Sequence, residues 1–422
     1  MVEPLEDVFR REFGRCTATL IRVLGDVDLA EDAVAEAFAI ASKRWPTDGT
    51  PQNPGGWITT TARNRALDRL RRESKRTDRY IAASRIDGND VTPEHDPVRD
   101  DLDGLVEVIS DDQLRLMFLC CHPALSADSQ VALTLRLLGG LDVGEIARAF
   151  IVPEPTIAQR IVRAKRKLRD NNAPYRIPRA AELPDRLRFV LAAISLIYTE
   201  GHTATGGDDL TRSDLCAEAI RLARLLVDLM PDEAEATGLL ALLILTDARR
   251  AARTADDGSL VRLADQNRSK WDRDLIAEGL DLVRACLRRN QPGPFQIQAA
   301  IAAVHADAQR YEDTDWGQIL ALYDHLHLLR PDSVTSLNRA VAIGEASGPV
   351  AGLEALRTID PNRVEEYQPY HAARADLLVR SGRIEESIEA YERAIALTEN
   401  QKERQFLERQ LETARGDRSD DR

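Results

Sequence analysis

Residues 141–170 read LDVGEIARAF, then IVPEP, then TIAQRIVRAKRKLRD. Val143, Ile146, Ala147 and Phe150 recur at helical spacing, so the first segment predicts a helix with one apolar side. A proline-bearing turn follows. In the second segment Ile157, Ile161, Ala164 and Leu168 are spaced four, three and four apart and predict a single buried stripe. At about 100° per residue, Thr156, Gln159, Arg163 and Arg166 fall opposite that stripe, with Arg160 and Lys167 on its flank. Hydroxyl, amide and guanidinium groups on one helix face match what base edges and phosphates in a major groove require. The pattern is that of a helix-turn-helix with its recognition helix second. A charged helix face is more often simply solvated, but from Arg160 to Arg169 there are six basic residues and no acidic one. That purity of sign favours DNA.

The remaining 392 residues set the context in which such a motif would work. A chain of 422 residues, 43% hydrophobic and 30% charged, is globular and long enough for two to four domains. Its net charge of -13 argues against a generally basic nucleic-acid coat protein, yet leaves room for local basic patches. The amino terminus, MVEPLEDVFRREFG, carries acids and no apolar core, unlike a signal peptide. No apolar run reaches the roughly 18 residues needed to span a membrane, so a cytoplasmic location is expected. The five cysteines (Cys16, Cys120, Cys121, Cys216, Cys286) are scattered, with no CxxC pair, as suits reduced thiols. Cys120-Cys121-His122 invites a metal or redox reading, but adjacent residues rarely converge on one metal, and a half-buried helix end accounts for it better. No metal and no cofactor is expected.

Upstream, Leu20, Val23, Leu24, Leu29, Ala33, Ala37, Phe38 and Ala41 predict two or three helices across residues 5–45, the later one starting in acids. PTDGTPQNPGG (46–56) predicts a loop. WITTTARNRALDRLRRESKRTDRY then gives an amphipathic helix, with eight basic residues against three acidic ones from Arg63 to Arg79. Asn64, the arginines and a nearby aromatic are the ingredients of phosphate contact and single-strand capture. Residues 87–112 reverse the sign, with ten acids and one arginine, and predict a solvated, extended linker between two globular units, a reading preferred over electrostatic shielding of the basic segments. Gly139-Gly140 predicts a helix stop just before the opening motif.

The order of these parts resembles an RNA polymerase sigma factor of the extracytoplasmic-function class, which keeps only sigma regions 2 and 4. The residues that carry the resemblance are the DVDLAED helix, WP, the Pro/Gly loop, W-I-x-T-x-A-R-N-x-A-L-D-x-L-R-R, the acidic linker and the helix-turn-helix ending R-A-K-R-K-L-R, over about residues 5–170. The resemblance implies that Asp28, Glu31, Asp32 and Glu36 lie on the face that binds the coiled coil of the polymerase beta-prime subunit. Family members often carry a glutamine where this chain has Ala35. It implies that loop 46–56 captures a flipped base of the −10 element, with Trp57 helping to open the duplex. Asn64, Arg65, Asp68, Arg69 and Arg72 would follow the DNA there. Thr156, Gln159, Arg160, Arg163, Arg166 and Lys167 would read or straddle the −35 element. Taking bases into pockets offsets a few kcal/mol of unstacking per base, which suits a melting module.

Beyond Asn171 the chain is helical in pattern almost throughout. Residues 220–243 and 320–343 align, with Leu222, Leu229, Pro231 and Asp232 matching Leu322, Leu329, Pro331 and Asp332. Residues 370–397 resemble a tetratricopeptide repeat, with Ala372, Ala373, a turn at Ser381-Gly382-Arg383, and Ala390, Tyr391, Ala394 and Ile395. Such helix pairs bury their faces only by stacking on neighbours. This half is similar to the sigma subgroup with a C-terminal tetratricopeptide-like extension, whose Asn-Glu-Gly-Tyr motif survives here as Glu200-Gly201 within Tyr198–His202. That subgroup generally lacks a membrane anti-sigma factor, which implies control through the extension. Residues 200–214 predict either a helix end, a loop and a Thr211 or Ser213 cap, or a loop touching the sigma core.

The expected fold is therefore all-α. Region 2 occupies 1–80, an acidic linker 81–112, region 4 residues 113–172, a tetratricopeptide-like domain 173–412 and a disordered tail 413–422. No nucleophile elbow, P-loop or HExxH occurs, so an enzyme is not expected. The Trp271-Asp272 and Asp315-Trp316 pairs suit helix starts better than chemistry. The leading reading is a promoter-specificity subunit whose partners are core RNA polymerase, promoter DNA and a protein or peptide bound by the C-terminal helices, with no membrane. The runner-up is a helix-turn-helix activator with a ligand- or peptide-sensing repeat domain. A third is an interaction scaffold whose basic helices bind an acidic partner.

Overall fold

Small and aliphatic residues at helical spacing recur along almost the whole chain, and the computed structural model answers with helix after helix. It describes residues 5–82, 105–150, 152–203, 206–207, 211–255 and 258–420. Among them the only strands in a sheet are two short parallel ones, β1 (Gly206–Gly207) and β2 (Glu399–Asn400). The chain divides into two compact units, the first ending at Ala193 and the second running from Ile194.

The first unit begins with α1 (Leu5–Leu24), α2 (Val27–Asp48) and α3 (Pro54–Ala82), packed on one another. Their core holds Phe13, Leu20, Phe38, Ile58 and Ala62. Asp26 caps α2 by accepting the Leu29 amide at 2.8 Å, and satisfies one of the amides a helix start leaves bare. The loop expected over 46–56 is shorter. α2 runs through Pro46 to Asp48 and α3 already starts at Pro54. Two local effects cause this. Burial of Trp45 holds the last turn of α2 in place, and Asn53 caps α3, its Oδ1 accepting the Gly56 amide at 2.9 Å. Pro54, with its backbone φ already fixed, takes the first helical position.

The unit continues through α4 (Leu105–Cys120), α5 (Ala127–Leu137), α6 (Val143–Ala149) and α7 (Glu154–Asp170). The acidic linker therefore ends before residue 105 rather than at 112, and residues 83–104 lie outside the described ones. Asp112 is tolerated in α4 because it is paired: buried, it accepts Arg115 at 2.6 Å and Arg22 at 2.8 Å. α6 starts on a reciprocal capping box, Asp142 and Glu145 each accepting the other's amide at 2.7 Å. The apolar stripe of α7 is buried as expected, at Ile157, Ile161, Ala164 and Leu168. The helix stop lies at Gly140, whose φ of +73° L side chains rarely adopt. Cys120 and Cys121 are packed against Leu133 and Thr134, and burial pushes the Cys121 thiol up to about 12, away from thiolate chemistry.

Regions 2 and 4 are closely packed. α1 lies on α4 and touches α5. A Cβ at Gly14 would stand 2.7 Å from the Leu138 carbonyl oxygen, so this approach requires glycine. The connector after α7 belongs here too. Tyr175 Oη lies 2.7 Å from the Ala18 carbonyl oxygen and 3.0 Å from that of Asp112, tying α1, α4 and the connector together. The expected boundary at residue 172 thus moves to about 193, within α8 (Leu183–His202).

The second unit stacks antiparallel helices. Its first pairs are α9 (Ser213–Leu229) with α10 (Ala234–Asp247) and α11 (Arg273–Arg289) with α12 (Pro294–Asp307). The next are α13 (Trp316–Leu329) with α14 (Ser333–Ser347), α15 (Pro349–Arg357), and α16 (Gln368–Arg380) with α17 (Ile384–Leu397). The two aligned segments fall on α9–α10 and α13–α14, and the tetratricopeptide-like one on α16–α17, turning at Gly382 with φ +73°. The repeat is irregular at its caps: Asp332 accepts the Thr335 amide at 2.7 Å, whereas the α10 start has no side-chain cap. Neither Thr211 nor Ser213 caps α9, whose preceding residue is Arg212. The tail expected from 413 is helical instead. α18 (Gln401–Asp420) continues because Leu407, Leu411 and Ala414 bury one face against the last repeat.

Candidate nucleic-acid interface

The outward face of α7 carries the residues expected to read DNA. Thr156, Gln159, Arg163, Arg166 and Lys167 are exposed, with Arg166 also 3.5 Å from Asp170. Arg160 departs from this face, half-buried and turned to Asp128 at 3.4 Å. The buried stripe sets this arrangement, because seating Ile157 and Ile161 inward leaves only the opposite side for solvent.

On α3, Asn64, Arg65, Asp68 and Arg69 are exposed; the side chain of Arg72 lies outside the described ones. Arg69 meets Asp32 at 3.1 Å and Arg65 meets Glu36 at 3.8 Å. Two of the basic residues expected at the −10 element thus neutralise two of the acids expected to dock polymerase. Trp57 is half-buried, edge-to-face with Trp45 at 5.5 Å between ring centroids.

The remaining acids hold the arrangement that sequence reading missed. Lys165 Nζ donates to Glu31 Oε2 at 2.6 Å and Asp28 Oδ1 at 2.7 Å. Arg169 reaches Asp28 Oδ2 at 2.7 Å, and Arg136 on α5 reaches Glu31 Oε1 at 2.5 Å. Glu31 and Lys165 are both largely buried. Burial alone would raise the Asp28 carboxyl, but the bonds from Lys165 and Arg169 outweigh it and hold it below its ordinary range. Burial would likewise lower the Lys165 ammonium, and the Glu31 and Asp28 carboxylates raise it instead. The only available signal was spacing: Lys165 and Arg169 are four apart, on a different side of α7 from Arg163.

Comparison with known proteins assigns this unit. The Sigma-70 region 2 family matches residues 8–76, and the Sigma-70, region 4 family matches residues 115–168. The chain belongs to the extracytoplasmic-function sigma factors. Residues 186–287 match a family of unknown function (DUF6596), which marks a C-terminal extension. The probable ECF RNA polymerase sigma factor SigI of Mycobacterium tuberculosis is 27% identical over 170 residues, covering 40% of this chain and 56% of that protein. The ECF RNA polymerase sigma factor SigK of Mycobacterium ulcerans is 28% identical over 163 residues, 37% of this chain and 79% of that one. An uncharacterized protein of Rhizobium meliloti is 42% identical over 393 residues, 93% of this chain and 92% of its own length. The sigma factor and that relative therefore share the extension as well as the sigma regions. Among the described residues, no helix is long and apolar enough to cross a membrane.

Proposed function

We propose that this sigma factor binds core RNA polymerase through the beta-prime coiled coil and delivers it to promoters bearing −10 and −35 elements. In this reading α2 presents Asp28, Glu31, Asp32 and Glu36 to the polymerase. The segment from the 49–53 turn through α3, with Trp57, Asn64, Arg65, Asp68, Arg69 and Arg72, engages the −10 element. Exposed Thr156, Gln159, Arg163, Arg166 and Lys167 on α7 read the −35 element, while Arg160 must first leave Asp128. The observation that carries the reading is the pairing on one chain of an exposed polar recognition face on α7 with a second basic helix, α3. A plain activator needs the first and not the second.

The same acids that would dock polymerase are occupied by Lys165, Arg169 and Arg136. The free chain in this reading rests closed, and productive binding requires α7 to leave α2. The C-terminal extension would act as the regulatory domain of this switch. Core polymerase and linear promoter DNA, with and without the sigma factor, test the function. Start-site-specific transcription that needs both proteins is the expected result; duplex binding without polymerase and without start-site selection would support an activator instead.

A further inference from the structure

Three arginines of the second unit, Arg249, Arg253 and Arg268, converge without a carboxylate in direct contact among the described residues. Arg249 and Arg253 follow α10, and Arg268 precedes α11. Arg268 stands over the Trp271 ring at 4.5 Å and Arg249 at 5.9 Å. Arg253 donates to the His202 carbonyl oxygen and, at 3.2 Å, to Thr203 Oγ1. Arg268 donates through Nη1 to the carbonyl oxygens of His305 (2.8 Å) and Ala308 (2.5 Å). Among the described residues no carboxylate lies within ion-pair distance of any of the three. The acids nearby act on them only from a distance, Glu312 and Asp313 on Arg268 and Glu403 on Arg253, while their direct contacts go elsewhere: Asp247 to Arg250 at 3.6 Å, Asp313 to Arg310 at 2.9 Å and Glu403 to Thr398 at 3.1 Å.

The same place holds unspent donors. Arg268 Nη2, Trp271 Nε1 and Tyr198 Oη are buried without a hydrogen-bond partner, in residues only 8%, 3% and 4% exposed. Burial, and then the neighbouring Arg253, pull Arg249 down to about 10, which reports how poorly its charge is accommodated. Buried like charges with idle donors are costly unless something anionic completes them. A guanidinium fork offers paired N–H groups that match the oxygens of a phosphate or carboxylate.

We propose that Arg249, Arg253 and Arg268, with Trp271 and Tyr198, form a binding site for a small, multiply charged oxyanion carried as phosphate or as clustered carboxylates. All five side chains lie within residues 186–287, the segment matched to the family of unknown function. Binding needs no assumption about polymerase or promoter, so it stands or falls separately from the sigma activity.

The test is titration of the full-length protein with inorganic phosphate, pyrophosphate, citrate and, as control, chloride, read by calorimetry and tryptophan fluorescence. Saturable one-site binding of at least one oxyanion, and not of chloride, is expected. Preference for pyrophosphate or for citrate tells phosphate from carboxylate. Arg249→Gln should weaken binding at least tenfold, while Arg284→Gln, on the exposed side of α11, should leave it unchanged. Without ligand, Arg249→Gln should melt at the same temperature as the parent or higher, because it relieves repulsion. A purely structural arginine would lower it. If Arg249→Gln does not fold, Arg268→Gln carries the same binding test. No saturable binding, or binding that both variants leave within twofold, overturns the site.

Discussion

Lys165 on α7 and Glu31 on α2, 134 residues apart in sequence, meet at 2.6 Å with both side chains largely buried. The contact joins region 4 to region 2 through one of the acids expected to bind polymerase. A buried ion pair is a weak source of net stability, since desolvation offsets most of the attraction, but removing one partner strands the other. Its position suits a contact that is exchanged rather than one that only stabilises.

The closed arrangement should depend on pH at both ends. Asp28 sits below its ordinary value, so its contribution is fully present above about pH 4–5 and fades as pH falls through the depressed value. Lys165 sits above its ordinary value, so its contribution is full below about pH 10 and fades as pH rises further. Energy transfer between labels on α2 and α7 should therefore hold through neutral pH and drop at both extremes. Asp28→Asn should flatten the acid limb. An acid limb that survives this variant would assign it to another carboxylate.

Tyr175 anchors the connector through its hydroxyl, which lies between the carbonyls of Ala18 and Asp112. Tyr175→Phe removes that bond and keeps the ring, and should cost about 1–3 kcal/mol in urea unfolding of the sigma regions. A loss under about 0.3 kcal/mol would mean the ring alone holds the connector. The same bond implies that a regulatory truncation should cut beyond Ala193, because cutting after Asn172 removes part of the first unit.

Arg163 is exposed and has no ion-pair partner among the described residues, so it is free to reach DNA. Arg163→Ala should weaken promoter use by roughly 1–3 kcal/mol when the −35 sequence is intact and little when it is scrambled. An equal loss on both templates would assign Arg163 to phosphate.

The parts governed by local periodicity were legible in the sequence. The α7 stripe, the exposed face opposite it and the stop at Gly140 follow from spacing and backbone chemistry alone. Asn53-Pro54, which caps and starts α3, was not, because the run of prolines and glycines around it reads as loop. Other features depended on partners far along the chain. Asp112 looks like linker until Arg22 and Arg115 pair with it. Ala414 looks like tail until its neighbours in the repeat cover it. Lys165 and Arg169 look like two more members of a basic run, and only the fold turns them onto Asp28 and Glu31.

Affinity for core polymerase in the absence of DNA measures that exchange most directly. If α7 competes with polymerase for α2, the double variant Lys165→Ala, Arg169→Ala should bind core about five- to thirtyfold more tightly than the parent, the effect of releasing about 1–2 kcal/mol of closure. Asp28→Ala, Glu31→Ala should bind more weakly, having lost the docking acids themselves. Unchanged or weaker binding by the Lys165 and Arg169 variant would contradict the account.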